Sequence, residues 1–234
     1  TFSTRETDFA WSDSPDFHPT DVLEDADGSM LIVDTGGWYK VCCPTSQLAK
    51  PDVLGAIYRV RRIGAPKFDD PRGLRIAWNE LKPAELAALL GDARLCVQQR
   101  AIRELAHQGD AAVPALASLL AHPGPVIAKQ NATWSLSRID SRQARAATRL
   151  ALQDGDPFVV QAALHVTSAC RDREAIEPAI ALLSRENPTL VRAAAETLGR
   201  MRDQRAVPAL LAAAEKPGAA QPAESGAPAD DAAR

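Results

Sequence analysis

Two adjacent cysteines, Cys42 and Cys43, form the sharpest chemical feature of the sequence. They lie in the stretch GGWYKVCCPTSQLAKPDVLGAIYRVRR, residues 36–62. A thiolate is a nucleophile and a metal ligand, and neighbouring thiols can also close a strained disulfide. A structural zinc site needs four ligands, and no further ligands stand nearby at metal-binding spacing. We therefore favour packed or free thiols, with a disulfide between Cys42 and Cys43 as the first alternative and a catalytic or metal role as the second.

Four aspartates, Asp21, Asp25, Asp27 and Asp34, form an acidic group around Gly28. Carboxylates close to a glycine are typical of calcium-binding loops, which carry a glutamate six residues after the glycine. Here Asp34 occupies that position, and the segment after the glycine is strand-like. Turn formation is therefore the favoured role of residues 25–28, and calcium binding is the alternative.

The remaining reactive side chains are scattered. The chain has four histidines, which are His18, His107, His122 and His165. None has a Ser, Cys or acidic partner at the spacing of a catalytic triad, so we expect surface or capping roles. Cys96 and Cys170 fall in apolar helical segments and are expected to be buried thiols. The sequence therefore identifies no catalytic or cofactor-binding residue and no metal ligand.

Composition limits the class of protein. The chain has 234 residues, 46% of them hydrophobic and 24% charged, as in a soluble globular protein. Residues 1–62 carry 6 Lys+Arg and 10 Asp+Glu, whereas residues 93–216 carry 16 and 12. Neither balance is extreme, so a nucleic-acid partner is not expected. No apolar run has the length of a membrane span, and no signal peptide is visible. The chain begins with Thr1, so the expectation is a fragment with a targeting sequence upstream.

Residues 1–62 predict β-structure. The segments PTDVLE (19–24), SMLIVD (29–34) and GAIYRVRR (55–62) have strand-like patterns, and DFAW (8–11) is a candidate fourth strand. Asp27-Gly28 predicts a hairpin turn between the first two of these strands. Three or four strands cannot bury a core alone, so this part is expected to belong to a larger β-structure.

Residues 93–216 contain the strongest internal signal, a repeat of 31 residues. The repeat is carried by two rows of residues, Ala101, Ala132, Ala163 and Ala194, and Leu105, Leu136, Thr167 and Leu198. The pattern of each unit predicts a helix, a short polar turn and a second helix. One such unit cannot bury its apolar face alone, so about four units are expected to stack into an α-α solenoid.

Three local features accompany the repeat. Residues 63–92 are expected to be a connector with a first helix at 81–92. In the second unit, Asn131 and Trp134 replace smaller residues, and we expect Trp134 to fill the core rather than to contact a ligand. The arginines of the solenoid fall mostly on outer helix faces, where solvation is the favoured role and a surface for an acidic partner is the alternative.

Residues 217–234 have the sequence PGAAQPAESGAPADDAAR. This segment has no apolar residue larger than alanine, and burial of alanine alone cannot offset the entropy lost on ordering. A disordered tail is therefore expected.

The repeat resembles short HEAT repeats. The resemblance rests on the pattern V-R-x-A-A-x-x-L-G at 191–199 and on A-V-P-A-L at 112–116 and 206–210. It covers roughly half of the chain, and its period is shorter than the usual 40–47 residues of HEAT units. HEAT repeats are mostly binding scaffolds, so the resemblance implies a protein partner or a neighbouring domain.

The β-part resembles the last blade of a glucose/sorbosone dehydrogenase-like β-propeller. The matching segments are HPTDVLEDADGSMLIVDTGG (18–37) and GAIYRVRR (55–62), followed by the bridge RGLRIAWNELKPAEL (72–86). Together with the repeats, they resemble the C-terminal part of a membrane-bound dehydrogenase family in which such a propeller precedes HEAT repeats. This resemblance implies missing N-terminal blades, an exported or periplasmic and membrane-associated location, and pyrroloquinoline quinone as the cofactor of the full-length protein.

The chain departs from that family in what it lacks. A propeller needs at least about four blades, and only one is recognisable here. Those proteins place their catalytic residues on other blades, so none of these residues maps onto this chain, and there is no C-x-x-C-H haem motif. The expected architecture is a partial propeller blade at 1–62, a connector at 63–92, a HEAT-like solenoid at 93–216 and a disordered tail at 217–234. The expected function is a protein-interaction scaffold that holds no cofactor itself. A fragment of a quinone-dependent sugar or alcohol dehydrogenase is the alternative.

Overall fold

The computed structural model describes residues 4–40, 47–49, 52–65, 67 and 69–215. Cys42, Cys43 and the predicted tail at 217–234 lie outside the described residues. The chain divides into two compact units between Arg75 and Ile76, within the predicted connector. The boundaries predicted at residues 62 and 92 remain predictions.

The N-terminal unit contains a three-stranded antiparallel sheet. Its strands are β1 (Pro19–Glu24), β2 (Met30–Asp34) and β5 (Ala56–Val60), in the order β1-β2-β5. A separate antiparallel pair is formed by β3 (Trp38–Lys40) and β4 (Gln47–Ala49). The three predicted strands of the larger sheet are confirmed, and the described residues contain no closed barrel.

The predicted fourth strand at residues 8–11 is wrong. This segment has no regular secondary structure, and Phe9 and Trp11 are 68% and 77% exposed. Its apolar residues predicted a strand, but no described strand pairs with its backbone.

The turn between β1 and β2 follows the prediction from Asp27-Gly28. Gly28 has φ +74°, a left-handed conformation that glycine adopts without strain. The carboxylate of Asp27 accepts hydrogen bonds from the backbone N–H of Ser29 at 3.0 Å and from its hydroxyl at 2.5 Å. Asp25 closes the turn, since its N–H donates to the carbonyl of Ser29 at 2.8 Å. The favoured turn role of residues 25–28 is therefore confirmed.

The β1-β2-β5 sheet leaves most of its apolar surface exposed. Ile32 lies opposite Val22 on β1 and Tyr58 on β5, and only Ile32 is well buried, at 6% exposure. Val22, Ile57 and Tyr58 are 56%, 69% and 47% exposed. The ring of Phe17 meets that of Tyr58 edge to face at 5.9 Å. A sheet of this size gains little stability from such limited burial.

The C-terminal unit is helical. Its helices are α1 (Pro83–Ala88), α2 (Leu95–Gln108), α3 (Val113–Ala121), α4 (Val126–Leu136), α5 (Arg142–Leu150), α6 (Pro157–Ala169), α7 (Ile176–Leu182), α8 (Pro188–Met201) and α9 (Val207–Ala214). After α1, they form four pairs, and we call α2, α4, α6 and α8 the first helices and α3, α5, α7 and α9 the second helices. Short 3-10 turns precede α3, α7 and α9. No helix in the described part has the length and apolarity needed to cross a lipid bilayer.

Side-chain caps fix where several of these helices begin. Asp156 accepts from the N–H of Phe158 at 2.8 Å at the start of α6. Asn187 does the same for Thr189, at 3.0 Å, at the start of α8. Both helices then begin with proline, whose missing N–H would be unpaired in the first turn in any case. The sequence thus sets the register of α6 and α8 locally.

The predicted 31-residue register is confirmed in the core. The four register alanines, Ala101, Ala132, Ala163 and Ala194, are all 0% exposed, and the second row is 0–2% exposed. Each first helix packs against the next along the whole array, from α2 to α8. Alanine at each contact lets the helix backbones approach closely. Thr197 of α8 also donates a hydrogen bond to the carbonyl of Leu164 in α6 at 3.2 Å.

The first turn of the solenoid is closed by the segment before α1. Trp78 is 5% exposed and belongs to the same core as Leu86 and Leu90. The guanidinium of Arg100 lies 4.6 Å from the centre of the Trp78 ring, a cation–π contact. The end of the repeat array is therefore covered by apolar side chains rather than exposed to solvent.

Candidate functional site

The first helices present one continuous outer surface, which we call the first-helix face. The register places equivalent residues of successive units side by side, and residues four apart on one helix share a side. The face consists of three rows: Gln99, Gln130, Gln161 and Arg192; Arg103, Trp134, His165 and Glu196; and His107, Arg138, Ala169 and Arg200. All twelve residues are at least partly exposed. They lie on the side of each helix opposite the buried alanine row.

The middle of the first-helix face is apolar. Ile127 and Trp134 of α4 are 43% and 40% exposed, and Phe158 of α6 is 61% exposed. We call these three residues the apolar patch. Ile127 and Phe158 are equivalent positions of neighbouring units. The side chain of Gln130 donates to the carbonyl of Phe158 at 3.5 Å and so links α4 to α6 within the patch.

Charged residues surround the apolar patch. Arg103 and Arg138 flank it and form no ion pair with any described residue. Arg192 and Glu196 of α8 lie 3.8 Å apart in an i, i+4 pair on the exposed surface. An apolar centre with aromatic anchors and a polar rim is the arrangement typical of protein-binding surfaces.

A shielded ion pair holds together the two helices that carry the apolar patch. The ammonium of Lys129 in α4 lies 2.7 Å from the carboxylate of Asp154, just before α6, and both side chains are nearly buried. Asp154 also accepts from the N–H of Asp156 at 2.8 Å. Burial raises the pKa of the Asp154 carboxyl, but the hydrogen bonds from Lys129 and Asp156 outweigh it and leave the pKa below its usual value.

A buried amide fixes α4 from the other side. Asn131 is 8% exposed, and its Nδ2 donates to the carbonyl of Leu90 at 2.8 Å and to Oε1 of Gln98 at 3.0 Å. The polar residue that weakens the repeat pattern in the second unit is therefore a structural link between α4, α2 and the turn after α1.

The prediction that Trp134 fills the core is wrong. Its ring lies on the first-helix face because position 134 is two residues past the buried Ala132, on the opposite side of α4. The repeat register carried this information, since the equivalent residues are Arg103, His165 and Glu196. Three polar residues at equivalent positions indicate a solvent-facing site.

Two carboxylates of the acidic group in the N-terminal unit, those of Asp25 and Asp27, pair with arginines. Asp25 pairs with Arg59 at 2.7 Å and with Arg72, and Asp27 pairs with Arg61 at 3.0 Å. The hydroxyl of Ser29 beside Asp27, together with the arginines, lowers the pKa of that carboxyl to about 2.

The carboxylate of Asp34, another member of the acidic group, accepts hydrogen bonds from backbone N–H groups. Asp34 is 8% exposed and accepts from the N–H of His18 at 2.9 Å and of Gly36 at 2.8 Å. Among the described residues, no group of three or more His, Cys, Asp or Glu side chains is arranged to hold a metal ion.

A cavity of about 520 Å³ lies beside the sheet. Its walls include Asp27, Arg61, Arg62 and Lys67, together with glycine, alanine and proline. None of the described residues that line it has an aromatic ring to stack on a planar quinone. No fit to the cofactor that the propeller resemblance implies is visible in these wall residues, and we derive no chemistry through it.

The histidines and the remaining cysteines are separate from one another. His107 and His165 lie on first helices, and His122 follows α3, where its Nδ1 bonds the carbonyl of Ser118 at 2.7 Å. The expectation of buried thiols is wrong for Cys170, which is exposed, and Cys96 is half-buried. Cys170 is the first residue after α6, where the apolar face of the helix has already ended.

The stacked helix pairs and the surface on their first helices define a helical-repeat solenoid. A family model described as HEAT repeats matches residues 83–167 and 147–223, which together span more than half of the chain. The chain therefore belongs to the HEAT-repeat family, and the HEAT resemblance of the sequence is confirmed.

Two further comparisons complete these findings. A solved designed armadillo repeat protein in complex with the peptide (KR)4 is similar at 17% sequence identity and a TM-score of 0.37. The match covers 59% of this chain and 71% of that one. No curated protein matches the chain.

Replacing Lys129 by methionine should destabilise the solenoid by about 3 kcal/mol at pH 7, because it leaves the Asp154 carboxylate nearly buried and unpaired. In the wild type, the lowered pKa of Asp154 contributes stability that is present above about pH 4 and is lost as the pH falls further. In the variant, the effect of burial exceeds that of the remaining hydrogen bond from Asp156 and raises that pKa, so acidification neutralises the unpaired charge. Urea unfolding followed by circular dichroism should show the difference between the two proteins shrinking from pH 7 to pH 3.

The double variant Lys129→Met/Asp154→Leu is the matched control, and it should regain most of the lost stability at pH 7 because neither charge remains. A difference between wild type and Lys129→Met that does not change with pH would contradict this account of the pair.

Proposed function

We propose that the chain is a protein-interaction module and that its partner binds on the first-helix face. The observation that carries this proposal is the apolar patch of Ile127, Trp134 and Phe158. These side chains are 40–61% exposed, next to core positions of the same helices that are almost completely buried. Exposed apolar side chains that share one face and include aromatic rings are typical of binding surfaces.

The packing of the solenoid supports this choice of face. The first helices contact one another along the whole stack, whereas among the second helices the main contact is between α3 and α5. Repeat proteins use extended surfaces built from stacked helices to bind their partners. Membership of the HEAT-repeat family, whose members are mostly binding scaffolds, points in the same direction.

The rigidity of the site supports specific recognition. The Lys129–Asp154 ion pair and the Gln130–Phe158 hydrogen bond fix α4 and α6 to each other. A surface already held in its binding geometry loses little entropy on association, so more of the contact energy appears as affinity. The partner is therefore expected to meet a preformed surface.

Replacing Trp134 by alanine should weaken binding at least about tenfold, because aromatic anchors dominate the energy of such interfaces. The measurement starts from a displayed library of random peptides, from which binders are selected on the full chain. The affinity of each selected peptide for the variants is then determined by fluorescence anisotropy. Leu150→Ala is the matched control, since Leu150 is 46% exposed but lies on the second helix α5. Equal losses for Trp134→Ala and Leu150→Ala, or no loss for either, would rule out the first-helix face.

We also propose, as a second candidate, that the solenoid is attached to a dehydrogenase-like propeller of which the β1-β2-β5 sheet is a blade. The resemblance of residues 18–37 and 55–62 supports this proposal. The exposed apolar side chains of Val22, Ile57 and Tyr58 also support it, because they would be covered by an adjacent blade. On this proposal, the longer protein is exported and membrane-associated, and it oxidises a sugar or an alcohol with a quinone cofactor bound by other blades.

The second candidate predicts dye-linked dehydrogenase activity in the purified product of the whole reading frame when pyrroloquinoline quinone is added. The activity should be found in the periplasmic or membrane fraction, because the proposed location is outside the cytoplasm. A control preparation without quinone should be inactive. A reading frame that contains no further blade, or a purified product that stays inactive with a panel of sugars and alcohols, would contradict this proposal.

A further inference from the structure

Besides the apolar patch, the first-helix face has a hollow at its edge, where α6 and α8 end. The hollow has a volume of about 500 Å³ and is lined by Ser168, Arg171, Glu196, Arg200 and Arg202 with two small residues. We call it the arginine hollow. Arg200 also belongs to the third row of the first-helix face, so a segment bound along that face would pass directly over the hollow.

The three arginines of the hollow form no ion pair with any described residue. Each carboxylate near the hollow pairs with an arginine outside it, and Glu196 in the wall lies 3.8 Å from Arg192. Asp172, next to Arg171, lies 2.6 Å from Arg149, and Asp203, next to Arg202, lies 2.9 Å from Arg205. The guanidinium groups of the hollow are therefore free to bind an anion, which arginine holds through two parallel hydrogen bonds.

The backbone at two of these arginines is strained. Arg171 and Arg202 have φ angles of 48° and 53°, in the left-handed region, and they are equivalent residues of neighbouring units. At the equivalent position of the first unit, α2 ends on Gly109, whose φ of +58° and ψ of −135° give a different positive-φ conformation that glycine tolerates. A side chain at such a position costs stability that glycine would not, and strain of this kind is concentrated at functional sites.

A buried hydroxyl in the wall of the hollow has no hydrogen-bond partner. Ser168 is 4% exposed, and its Oγ is without a partner among the described residues. The carbonyl of Leu164, four residues earlier, already accepts from Thr167 at 3.1 Å and from Thr197 at 3.2 Å. Buried polar groups are almost always satisfied, so this unpaired hydroxyl in a residue of the wall is an exception.

We infer that the arginine hollow binds the carboxylates of an acidic segment of the partner protein. This inference rests on the proposed function, because it assigns the chemistry of the partner that lies on the first-helix face. A local site of three cations fits a few carboxylates of a peptide. The near balance of charge in the solenoid opposes a long polyanion such as a nucleic acid.

The test uses the full chain and a fluorescein-labelled dodecapeptide in which glutamate alternates with alanine. Its glutamine counterpart is the control peptide, and anisotropy is measured in 150 mM salt. The glutamate peptide should bind at least about tenfold more tightly than the glutamine peptide, and Arg200→Gln should remove most of that difference. Arg142→Gln is the matched control variant, since Arg142 lies on α5 and its side chain is 88% exposed. It should change the affinity less than about twofold. Equal binding of both peptides, or equal losses in both variants, would overturn the inference.

A second pair of variants separates binding from folding. Arg171→Gly and Arg202→Gly remove the guanidinium and also relieve the left-handed strain. They should therefore bind the glutamate peptide more weakly while unfolding at a higher temperature than the wild type. A purely structural role of these arginines would lower stability and leave affinity unchanged, and that result would overturn the inference.

Two further measurements distinguish this inference from its alternatives. Inorganic phosphate or a 12-nucleotide single strand of DNA that binds more tightly than the glutamate peptide would overturn the assignment to a peptide. One outcome is that Trp134→Ala abolishes binding of the library-selected peptides while the hollow variants still bind the glutamate peptide. In that case, the inference about the arginine hollow is wrong and the proposed binding on the first-helix face is supported. If the hollow variants lose the glutamate peptide and Trp134→Ala does not affect the selected peptides, the apolar patch fails and the hollow stands as an anion site alone.

Discussion

The close packing of small residues between successive first helices is the constraint on which the solenoid depends. Ala101, Ala132, Ala163 and Ala194 are completely buried at a spacing of 31 residues. A larger side chain at any of them would separate two helix backbones and shift every later unit of the stack. The side chains of a helix repeat their direction about every 3.6 residues. The register that buries the alanines therefore also aligns the residues on the opposite side of successive first helices. The first-helix face is therefore a direct consequence of the core.

The individual contacts on this framework decide what the face can do. Lys129–Asp154 and Asn131–Leu90 place polar groups in nearly dry surroundings, where they hold α4 in one position relative to its neighbours. That position determines the geometry of the apolar patch. Just after α6 and α8, Arg171 and Arg202 adopt a left-handed backbone conformation that glycine favours. Fixed apolar anchors at the centre and free cations at the edge suit a partner segment with both apolar and acidic residues.

Much of the fold could be predicted from the sequence because it depends on periodic patterns. The short apolar runs of 19–24 and 29–34 and the alternating residues of 55–62 predicted the sheet, and the alanine row predicted the solenoid. Predictions from isolated residues were less secure. Trp134 was assigned to the core on its size alone, although the polar residues at equivalent positions indicated an exposed site. The strand predicted at 8–11 had apolar residues but no partner for its backbone.

Other parts of the site depend on contacts that no local pattern reveals. Asn131 reaches Leu90 across 41 positions of sequence, and the carbonyl of Leu164 is taken by Thr167 and Thr197, which leaves Ser168 unpaired. The sequence also does not indicate the left-handed backbone of Arg171 and Arg202, because arginine is a good helix former and does not mark the end of a helix. These features follow from how the helices meet in three dimensions.

Replacing Ala163 by leucine tests the central claim most directly, because it changes a residue that touches no solvent and no partner. The account predicts a loss of about 1–3 kcal/mol in the free energy of unfolding, measured in urea, since the added side chain has no space between α4 and α8. Ala146→Leu, on the exposed side of α5, should leave the unfolding free energy within about 0.5 kcal/mol of the wild type. An Ala163→Leu variant as stable as the wild type would contradict the claim that alanine packing determines the stack.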